Sequence, residues 1–288
     1  MEVNIEGDSL EVREFKLEWM CSDPAICMIA KRGSGKSWVC RDLLRQFKHI
    51  PGGIIIAPTD KMNCFYGKFF PDLYIHYEYK SDIIDKLLYR QGKMISKMQE
   101  KALHQKKVDP RAFLLMDDCL STKGKWMKET QIQKIFFDGR HYKVMFILTM
   151  QFPLGITPEL RGNFDYIFLL SEDFKSNQKR LYEHYAGMFP NLATFVDVFN
   201  QLTDDFGCMV IVNRGTRKDF LDKVFWYKAT NEEINNCGNR QFRKYHEMNY
   251  DDKWMDNEYR IDANTYITNK ARTKTGIKID KVKIGDNE

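Results

Sequence analysis

The amino-acid sequence predicts an α/β fold, in which a mostly parallel central sheet is flanked by helices. Short apolar runs alternate along the chain with segments whose apolar residues recur at helical spacing. The apolar runs are continuous, which indicates strands that are buried on both faces, as in parallel sheets. The last two runs are joined by a short, turn-like connection, which predicts an antiparallel strand pair at the C-terminal end of the sheet.

Each predicted strand is an apolar run, and each predicted helix carries an apolar face. The helix after the first strand presents Val39, Leu43, Leu44 and Phe47 on one face. Trp38 follows the glycine-rich loop, and we expect it to face the core, which is a simpler interpretation than stacking on a nucleotide. We predict strands at 25–30, 52–58, 73–79, 112–118, 143–151, 165–170, 207–213 and 223–229. We predict helices at 36–48, 81–105, 126–139, 174–187 and 190–203.

Length and composition fit one large folded domain with a tail. The chain has 288 residues, 43% of them hydrophobic, and its net charge of +5 permits a polyanionic partner without requiring one. The first residues lack the pattern of a signal peptide, and no run approaches the roughly 18 apolar residues of a membrane span, so we expect no membrane partner. We expect a domain over 1–250 and a polar, basic C-terminal extension over 251–288.

The segment AKRGSGKS at 30–37 connects the first predicted strand to the first predicted helix. It matches the phosphate-loop pattern G-x-x-x-x-G-K-[ST], except that Ala30 replaces the first glycine. Gly33 and Gly35 allow backbone N–H groups to surround an anion. Lys36 supplies positive charge for the β- and γ-phosphates, and the Ser37 hydroxyl is a natural ligand for Mg²⁺. The residues predicted to bind the nucleotide are Arg32, Gly33, Ser34, Gly35, Lys36 and Ser37.

Polar residues also end two later strands. Asp117 and Asp118 follow the apolar run FLLM, where one carboxylate can hold Mg²⁺ and the other can polarise an attacking water. Thr149 or Gln151, at the end of FILTMQ, can bridge the γ-phosphate and that water. Taken alone, either set is explained about as well by the solvation of a strand end. The upstream phosphate loop favours the catalytic interpretation.

The stretches AKRGSGKS, FLLMDD, DGRHYKVMFILTMQ and LRGNFDYIFLL, in this order, resemble the genome-packaging ATPases of large nucleocytoplasmic DNA viruses, the poxvirus-type packaging motor. That group belongs to the FtsK–HerA superfamily of DNA-pumping ATPases. The resemblance implies an ASCE-type P-loop NTPase fold for the ATPase domain over 1–250, with ATP and Mg²⁺ as cofactors. It implies a homo-oligomeric ring that moves double-stranded DNA without sequence preference. It further implies a capsid or portal protein as a partner, and a location in the host cytoplasm, at the viral factory, or on the virion.

The resemblance also implies roles for individual residues. Asp117 matches the magnesium-holding acid, and Asp118 stands where the superfamily usually has a catalytic glutamate, which is one methylene longer. Gln151 matches the polar sensor. Arg140 matches the arginine finger that one subunit presents to its neighbour, and Arg161 is a second candidate for that role. The alternative for each arginine is a surface cation or a salt-bridge partner.

Two other classes of protein stay open on the sequence alone. A P-loop small-molecule kinase would use the phosphate loop, but it would not need an acid pair followed by a sensor strand. A nucleotide-gated scaffold protein would bind the nucleotide and hydrolyse it slowly. DNA-stimulated ATP hydrolysis separates the packaging motor from both.

Overall fold

The computed structural model describes residues 1–5, 8–119, 125–216 and 220–254. Residues 1–248 form one compact unit, and a second unit begins at Asn249. Most of the predicted extension over 251–288 therefore lies outside the described residues, and the domain boundary at residue 250 stays a prediction.

The described strands and helices follow one another in the predicted alternation. The strands are β1 (Glu2–Ile5), β2 (Asp8–Glu11), β3 (Ala25–Ile29), β4 (Gly53–Ile56), β5 (Ile75–His76), β6 (Ala112–Asp117), β7 (Val144–Met150), β8 (Tyr166–Leu170), β9 (Gly207–Val212) and β10 (Val224–Lys228). The helices are α1 (Lys36–Gln46), α2 (Asp60–Asn63), α3 (Ser81–Leu103), α4 (Thr130–Asp138), α5 (Pro158–Arg161), α6 (Lys175–Tyr185), α7 (Leu192–Leu202) and α8 (Arg240–Asn249). Within the described ranges, no helix combines the length and apolar character that crossing a membrane requires.

An eight-stranded sheet lies at the centre of the first unit, in the order β10-β9-β8-β3-β7-β6-β4-β5. The strands from β8 to β5 in this order run parallel, whereas β9 is antiparallel to both β8 and β10. The predicted fold class, a mostly parallel sheet with an antiparallel C-terminal pair, is confirmed. Strand β7 lies between β3 and β6, so it separates the strand before the glycine-rich loop from the strand that ends in the acid pair.

Apolar layers cover both faces of the sheet. Along β3, Ile26 and Met28 belong to the layer that includes α1, whereas Cys27 and Ile29 belong to the opposite layer. This alternation follows from the period of two that side chains have in a strand. Helices α3, α4, α6 and α7 contribute their apolar residues to the second layer. The sheet is therefore buried on both faces, which explains why its strands are apolar throughout.

The parallel arrangement brings distant polar residues to one edge of the sheet. Ala30, Asp118 and Gln151 directly follow β3, β6 and β7. Parallel strands end at the same edge, and open α/β sheets bind ligands beyond the carboxyl ends of their strands. The loop, the acid pair and the sensor residue therefore meet at this edge.

One predicted strand is shorter in the structure, and β1, β2, α2, α5 and α8 were not predicted. The strand predicted over 73–79 is reduced to Ile75–His76, since β5 is an edge strand that pairs with β4 alone among the described strands. The sequence analysis did not predict β1 and β2, which pair antiparallel, because their residues lack a continuous apolar run.

Candidate nucleotide-binding and hydrolysis site

The glycine-rich loop joins β3 to α1 through left-handed backbone conformations. Gly33 has a φ of +81°, and Gly35, directly before α1, has a φ of +95°. Residues with side chains rarely adopt such angles, so glycine is needed at both positions. The backbone can thus follow the tight path that turns N–H groups toward an anion.

The Ser34 side chain contributes to the shape of the loop. Its side chain is buried, and its hydroxyl donates to the carbonyl oxygen of Lys31 at 2.8 Å. Its backbone N–H points to the same carbonyl, with N and O 3.4 Å apart. The prediction that Ser34 binds the nucleotide therefore finds no support from its side chain, which is bonded within the loop.

Lys36, at the start of α1, forms an ion pair with Asp117, at the end of β6. Lys36 Nζ lies 2.9 Å from Asp117 Oδ1, and the two side chains are 15% and 7% exposed. Burial lowers the pKa of the Lys36 ammonium, but the charge and hydrogen bond of Asp117 outweigh it and hold that pKa above its usual value. Lys36 is therefore positively charged at neutral pH. Most of the surface of the Lys36 side chain is buried in this pair.

Besides Lys36, two hydroxyl groups donate hydrogen bonds to the Asp117 carboxylate. Thr149 Oγ1 donates to Oδ1 at 2.5 Å, and the phenol of Tyr66 donates to Oδ2 at 3.0 Å. Tyr66 is 1% exposed. Burial, together with the nearby Cys40 and Asp117, raises the pKa of Tyr66 well above its usual value, so the phenol stays a proton donor. Both oxygens of Asp117 are thus fixed in orientation.

Thr149 connects the two acids. Strand β7 pairs with β6 so that Thr149 lies opposite Asp117, and the backbone N–H of Asp118 donates to Thr149 Oγ1 at 3.2 Å. Asp118 leaves the strand with a φ of +54°, and its carboxylate accepts a hydrogen bond from Gln151 Nε2. The sequence left Thr149 and Gln151 as alternatives at this strand end. In the structure each of them contacts an acid.

A cavity of about 760 Å³ lies over the loop and the acid pair. Its volume is within the range of roughly 300–1,000 Å³ that is usual for small-molecule sites. The described residues that line it are Ala30, Lys31, Arg32, Gly33, Gly35, Lys36, Ser37, Trp38, Thr59, Asn63, Phe65, Lys68, Asp117, Asp118, Gln151, Phe206, Lys228, Ala229, Thr230 and Asn231.

Sequence analysis missed several residues of this cavity. Lys68 follows β4, Phe206 precedes β9, and residues 228–231 end β10 and continue beyond it. Our prediction that Trp38 faces the core is wrong, because its side chain is 45% exposed and lines the cavity. Trp38 shares a face of α1 with Arg41, whose guanidinium carbon lies 4.1 Å from the ring centroid. The polar residue three positions after Trp38 was the available signal for this orientation.

Arg140 lies at the opposite edge of the sheet from the cavity. It precedes β7, and it is ion-paired with Asp165, which directly precedes β8. Asp165 is 1% exposed and also accepts a hydrogen bond from the backbone N–H of Ala25, the first residue of β3, at 2.9 Å. The Arg140 side chain is 56% exposed. Arg140 therefore lies away from the cavity of its own chain, and within the chain it is the salt-bridge partner of a buried carboxylate.

Arg161, the last residue of α5, packs within its own chain. Its guanidinium carbon lies 5.6 Å from the ring centroid of Tyr185. Its Nε is buried and has no hydrogen-bond partner in the described part of the chain. Neither Arg140 nor Arg161 is among the described residues that line the cavity. Of the two, Arg140 has the more accessible position.

The residues at the cavity fit a nucleotide and its magnesium ion. The loop supplies the left-handed glycines of an anion nest, and Lys36 supplies a charged ammonium. Ser37 and Asp117 supply oxygen ligands, and Mg²⁺ in nucleotide sites typically uses few protein ligands together with phosphate oxygens and water.

Comparison with known proteins identifies the family of this chain. A sequence model of the poxvirus A32 protein family matches residues 12–170. A protein of Acanthamoeba polyphaga mimivirus is 45% identical over 275 residues, which cover 95% of this chain and 96% of the relative. A protein of Invertebrate iridescent virus 6 is 32% identical over 236 residues, which cover 81% of this chain and 88% of the relative.

Among solved structures, the genome packaging NTPase B204 of Sulfolobus turreted icosahedral virus 2, in complex with sulfate, aligns with a TM-score of 0.51. The alignment covers 74% of this chain and 100% of B204, at 17% sequence identity, so it shows a shared fold. The chain belongs to the poxvirus A32 protein family, the group of genome-packaging ATPases that its ordered motifs resemble.

Proposed function

We propose that this packaging ATPase hydrolyses ATP with Mg²⁺ and uses the reaction to translocate double-stranded DNA into a capsid. The observation that carries the proposal is the connected set of side chains at the carboxyl edge of the sheet. Lys36 contacts Asp117, Thr149 bridges Asp117 and the backbone of Asp118, and Gln151 contacts Asp118. A small-molecule kinase would need the phosphate loop but not this linked acid pair.

Each residue then has a chemical task in hydrolysis. The loop N–H groups and Lys36 bind the phosphates, and Lys36 exchanges its contact with Asp117 for a phosphate oxygen when nucleotide binds. Ser37 and Asp117 hold the metal. When bound, Mg²⁺ neutralises charge on the phosphate oxygens. Asp118, oriented by Gln151, accepts a hydrogen bond from the attacking water and aligns it.

The charge that develops during phosphoryl transfer calls for a further cation, and we assign it to Arg140 of a neighbouring subunit. Heterologous contacts between identical subunits place one face of each subunit against a different face of the next, and they close into a ring when the rotation between neighbours allows it. Arg140 is exposed at the edge opposite the cavity, as such a contact requires. Arg161 is the alternative.

DNA and the capsid complete the proposed assembly. Attraction between basic side chains and phosphates is independent of sequence, which suits a motor that moves along any DNA. The net charge of +5 is compatible with this partner. A capsid or portal protein is the proposed docking partner, and the host cytoplasm, at the viral factory, or the virion is the proposed location.

Phosphate release with Mg²⁺·ATP, measured with and without long duplex DNA, tests the proposal. We expect turnover that requires Mg²⁺ and rises with DNA, and no turnover by Lys36→Ala. A turnover rate that is unchanged by DNA but rises with a small phosphoryl acceptor would favour the small-molecule kinase. Nucleotide binding with negligible turnover under all conditions would favour the nucleotide-gated scaffold.

A further inference from the structure

Two aromatic side chains are exposed in the cavity beside the phosphate loop. Phe206 is 63% exposed and Trp38 is 45% exposed, and both line the cavity. Large aromatic residues usually bury their rings, so two exposed rings in one concave site indicate a binding surface. The proposed binding of phosphates and metal by the loop, Lys36 and Asp117 does not use these rings.

The backbone around Phe206 holds its ring out of the core. Asp205 and Phe206 have φ values of +46° and +61°, which place two successive residues with side chains in the left-handed region. For a bulky residue such as phenylalanine this is strained, and strained backbone of this kind concentrates at functional sites. Gly207 follows, where a Cβ atom would lie 2.4 Å from the carbonyl oxygen of Leu202. The turn between α7 and β9 is therefore tight and fixes the position of Phe206.

Contacts from the cavity wall hold both aromatic residues in place. Lys228, at the end of β10, forms an ion pair with Asp205 in the strained turn. The guanidinium of Arg41 lies over the Trp38 ring. It also donates a hydrogen bond to the carbonyl oxygen of Thr230 at 2.9 Å. The Trp38 ring is thus connected to the wall of residues 228–231 through Arg41, and the turn that carries Phe206 is connected to it through Asp205.

Phe206 also lies directly against the phosphate loop. A Cβ atom built on Gly35 would lie 3.6 Å from Cδ1 of Phe206. Trp38 is in the first turn of α1, immediately after the loop. A ligand whose phosphates rest on the loop therefore has two aromatic rings beside it in the same cavity.

We propose that Phe206 and Trp38 form the base-binding end of the cavity and stack on the purine base of the nucleotide. This assignment rests on the proposed function, because it presumes that the phosphates of the same nucleotide occupy the loop. Aromatic rings stack on the flat faces of bases, and rings that are already fixed lose little freedom on binding. Alanine substitution at such stacking positions commonly weakens binding by about five- to a hundredfold.

Binding of ATP and of inorganic tripolyphosphate, measured by calorimetry in buffer with Mg²⁺, tests the assignment. Tripolyphosphate carries the phosphates without the base. We expect Phe206→Ala to weaken ATP binding by about five- to a hundredfold and to leave tripolyphosphate binding within about twofold. Phe206→Tyr keeps a stacking ring and should bind ATP as the unaltered protein does. Tyr89→Ala, which removes a side chain that is 69% exposed on α3, is the matched control and should change neither affinity.

The outcomes separate this inference from the proposed function. If Phe206→Ala binds ATP as tightly as the unaltered protein, the base does not stack on Phe206 and the inference is wrong. Equal loss of ATP and tripolyphosphate would also overturn it, because Phe206 would then shape the loop at Gly35. If the unaltered protein binds neither ligand, or if Lys36→Ala binds ATP normally, the loop is not the phosphate-binding site and the proposed function is wrong. Circular dichroism and the melting temperature establish that each variant is folded.

Discussion

Lys36 Nζ lies 2.9 Å from Asp117 Oδ1, so the lysine and the acid predicted to hold phosphate and metal bind each other. The pair keeps two charged groups neutralised while most of their surface is buried. Since Lys36 must leave Asp117 to contact a phosphate, nucleotide binding and this ion pair are coupled. The Lys36 substitution therefore acts on stability as well as on activity.

We predict that Lys36→Ala abolishes ATP turnover and lowers the free energy of unfolding by about 1–3 kcal/mol, because Asp117 loses a charged partner while it stays buried. Adding Asp117→Asn to this variant removes the unpaired charge. The double variant should recover stability but not activity. Chemical denaturation and phosphate release measure the two effects. Full ATPase activity in a folded Lys36→Ala variant would rule out phosphate binding by this loop.

The pH dependence of this stability difference has a defined sign. The pKa of Lys36 is raised in the folded chain above its usual value of 10.5. A raised lysine pKa contributes stability that is complete below the unfolded pKa and disappears as the pH rises through the folded one. The stability difference between the protein and Lys36→Ala should be constant near neutral pH and shrink above about pH 10.5. A difference that grows with alkaline pH would contradict the ion pair.

The asparagine variants of Asp117 and Asp118 should have different kinetic defects. Asp118→Asn should bind nucleotide normally and turn it over about 10²-fold more slowly, as expected for a group that orients the nucleophile. Asp117→Asn should raise the Mg²⁺ concentration needed for half-maximal turnover. Steady-state rates over a Mg²⁺ titration distinguish the two. Near-normal kinetics in both variants would make the pair structural.

The hydrogen bond from Tyr66 to Asp117 predicts a milder defect. Tyr66→Phe keeps the buried ring and removes the donor to Oδ2, which lies 3.0 Å away. We expect a loss of stability of about 1 kcal/mol and a higher Mg²⁺ requirement, since the carboxylate loses one orienting contact. Tyr79→Phe is the matched control, because the Tyr79 phenol donates to Glu129 at 2.7 Å outside the cavity. An unchanged Mg²⁺ titration in Tyr66→Phe would show that Tyr66 only packs.

The Arg140 assignment predicts complementation between variants. Arg140→Ala should bind ATP but hydrolyse it about 10³-fold more slowly, because an arginine finger neutralises charge on the transferring group. Mixed with Lys36→Ala, it should regain some activity at contacts that join an intact loop to an intact Arg140. Mixed oligomers verified by light scattering provide the assay. Absence of rescue in them would shift the assignment to Arg161.

Sequence analysis identified the parts of the site where binding phosphate, metal or water requires particular residue types. The loop, Asp117 and Gln151 follow recognisable strands, and parallel strands bring their ends together. Tyr66 was missed because an aromatic run such as FYGKFF gives no sign of which hydroxyl meets a carboxylate. Phe206 was missed because long-range packing brings the turn before β9 to the loop.

The position of Trp38 was mispredicted for a local reason. Its apolar character suggested the core, but the buried residues of α1 are Val39, Cys40, Asp42, Leu43 and Leu44. Trp38 instead lies beside Arg41 on the neighbouring face. The contact between the Trp38 ring and the Arg41 guanidinium accounts for this orientation, and residue type alone did not predict it.

Displacement of a third strand from a DNA triplex tests the proposed translocation most directly. A motor that moves along duplex DNA strips a triplex-forming strand from it, whereas hydrolysis alone does not. We predict displacement that requires ATP and Mg²⁺, is independent of the flanking duplex sequence, and is lost in Lys36→Ala and Arg140→Ala. ATP hydrolysis by the oligomer on this DNA without any displacement of the third strand would contradict the DNA motor.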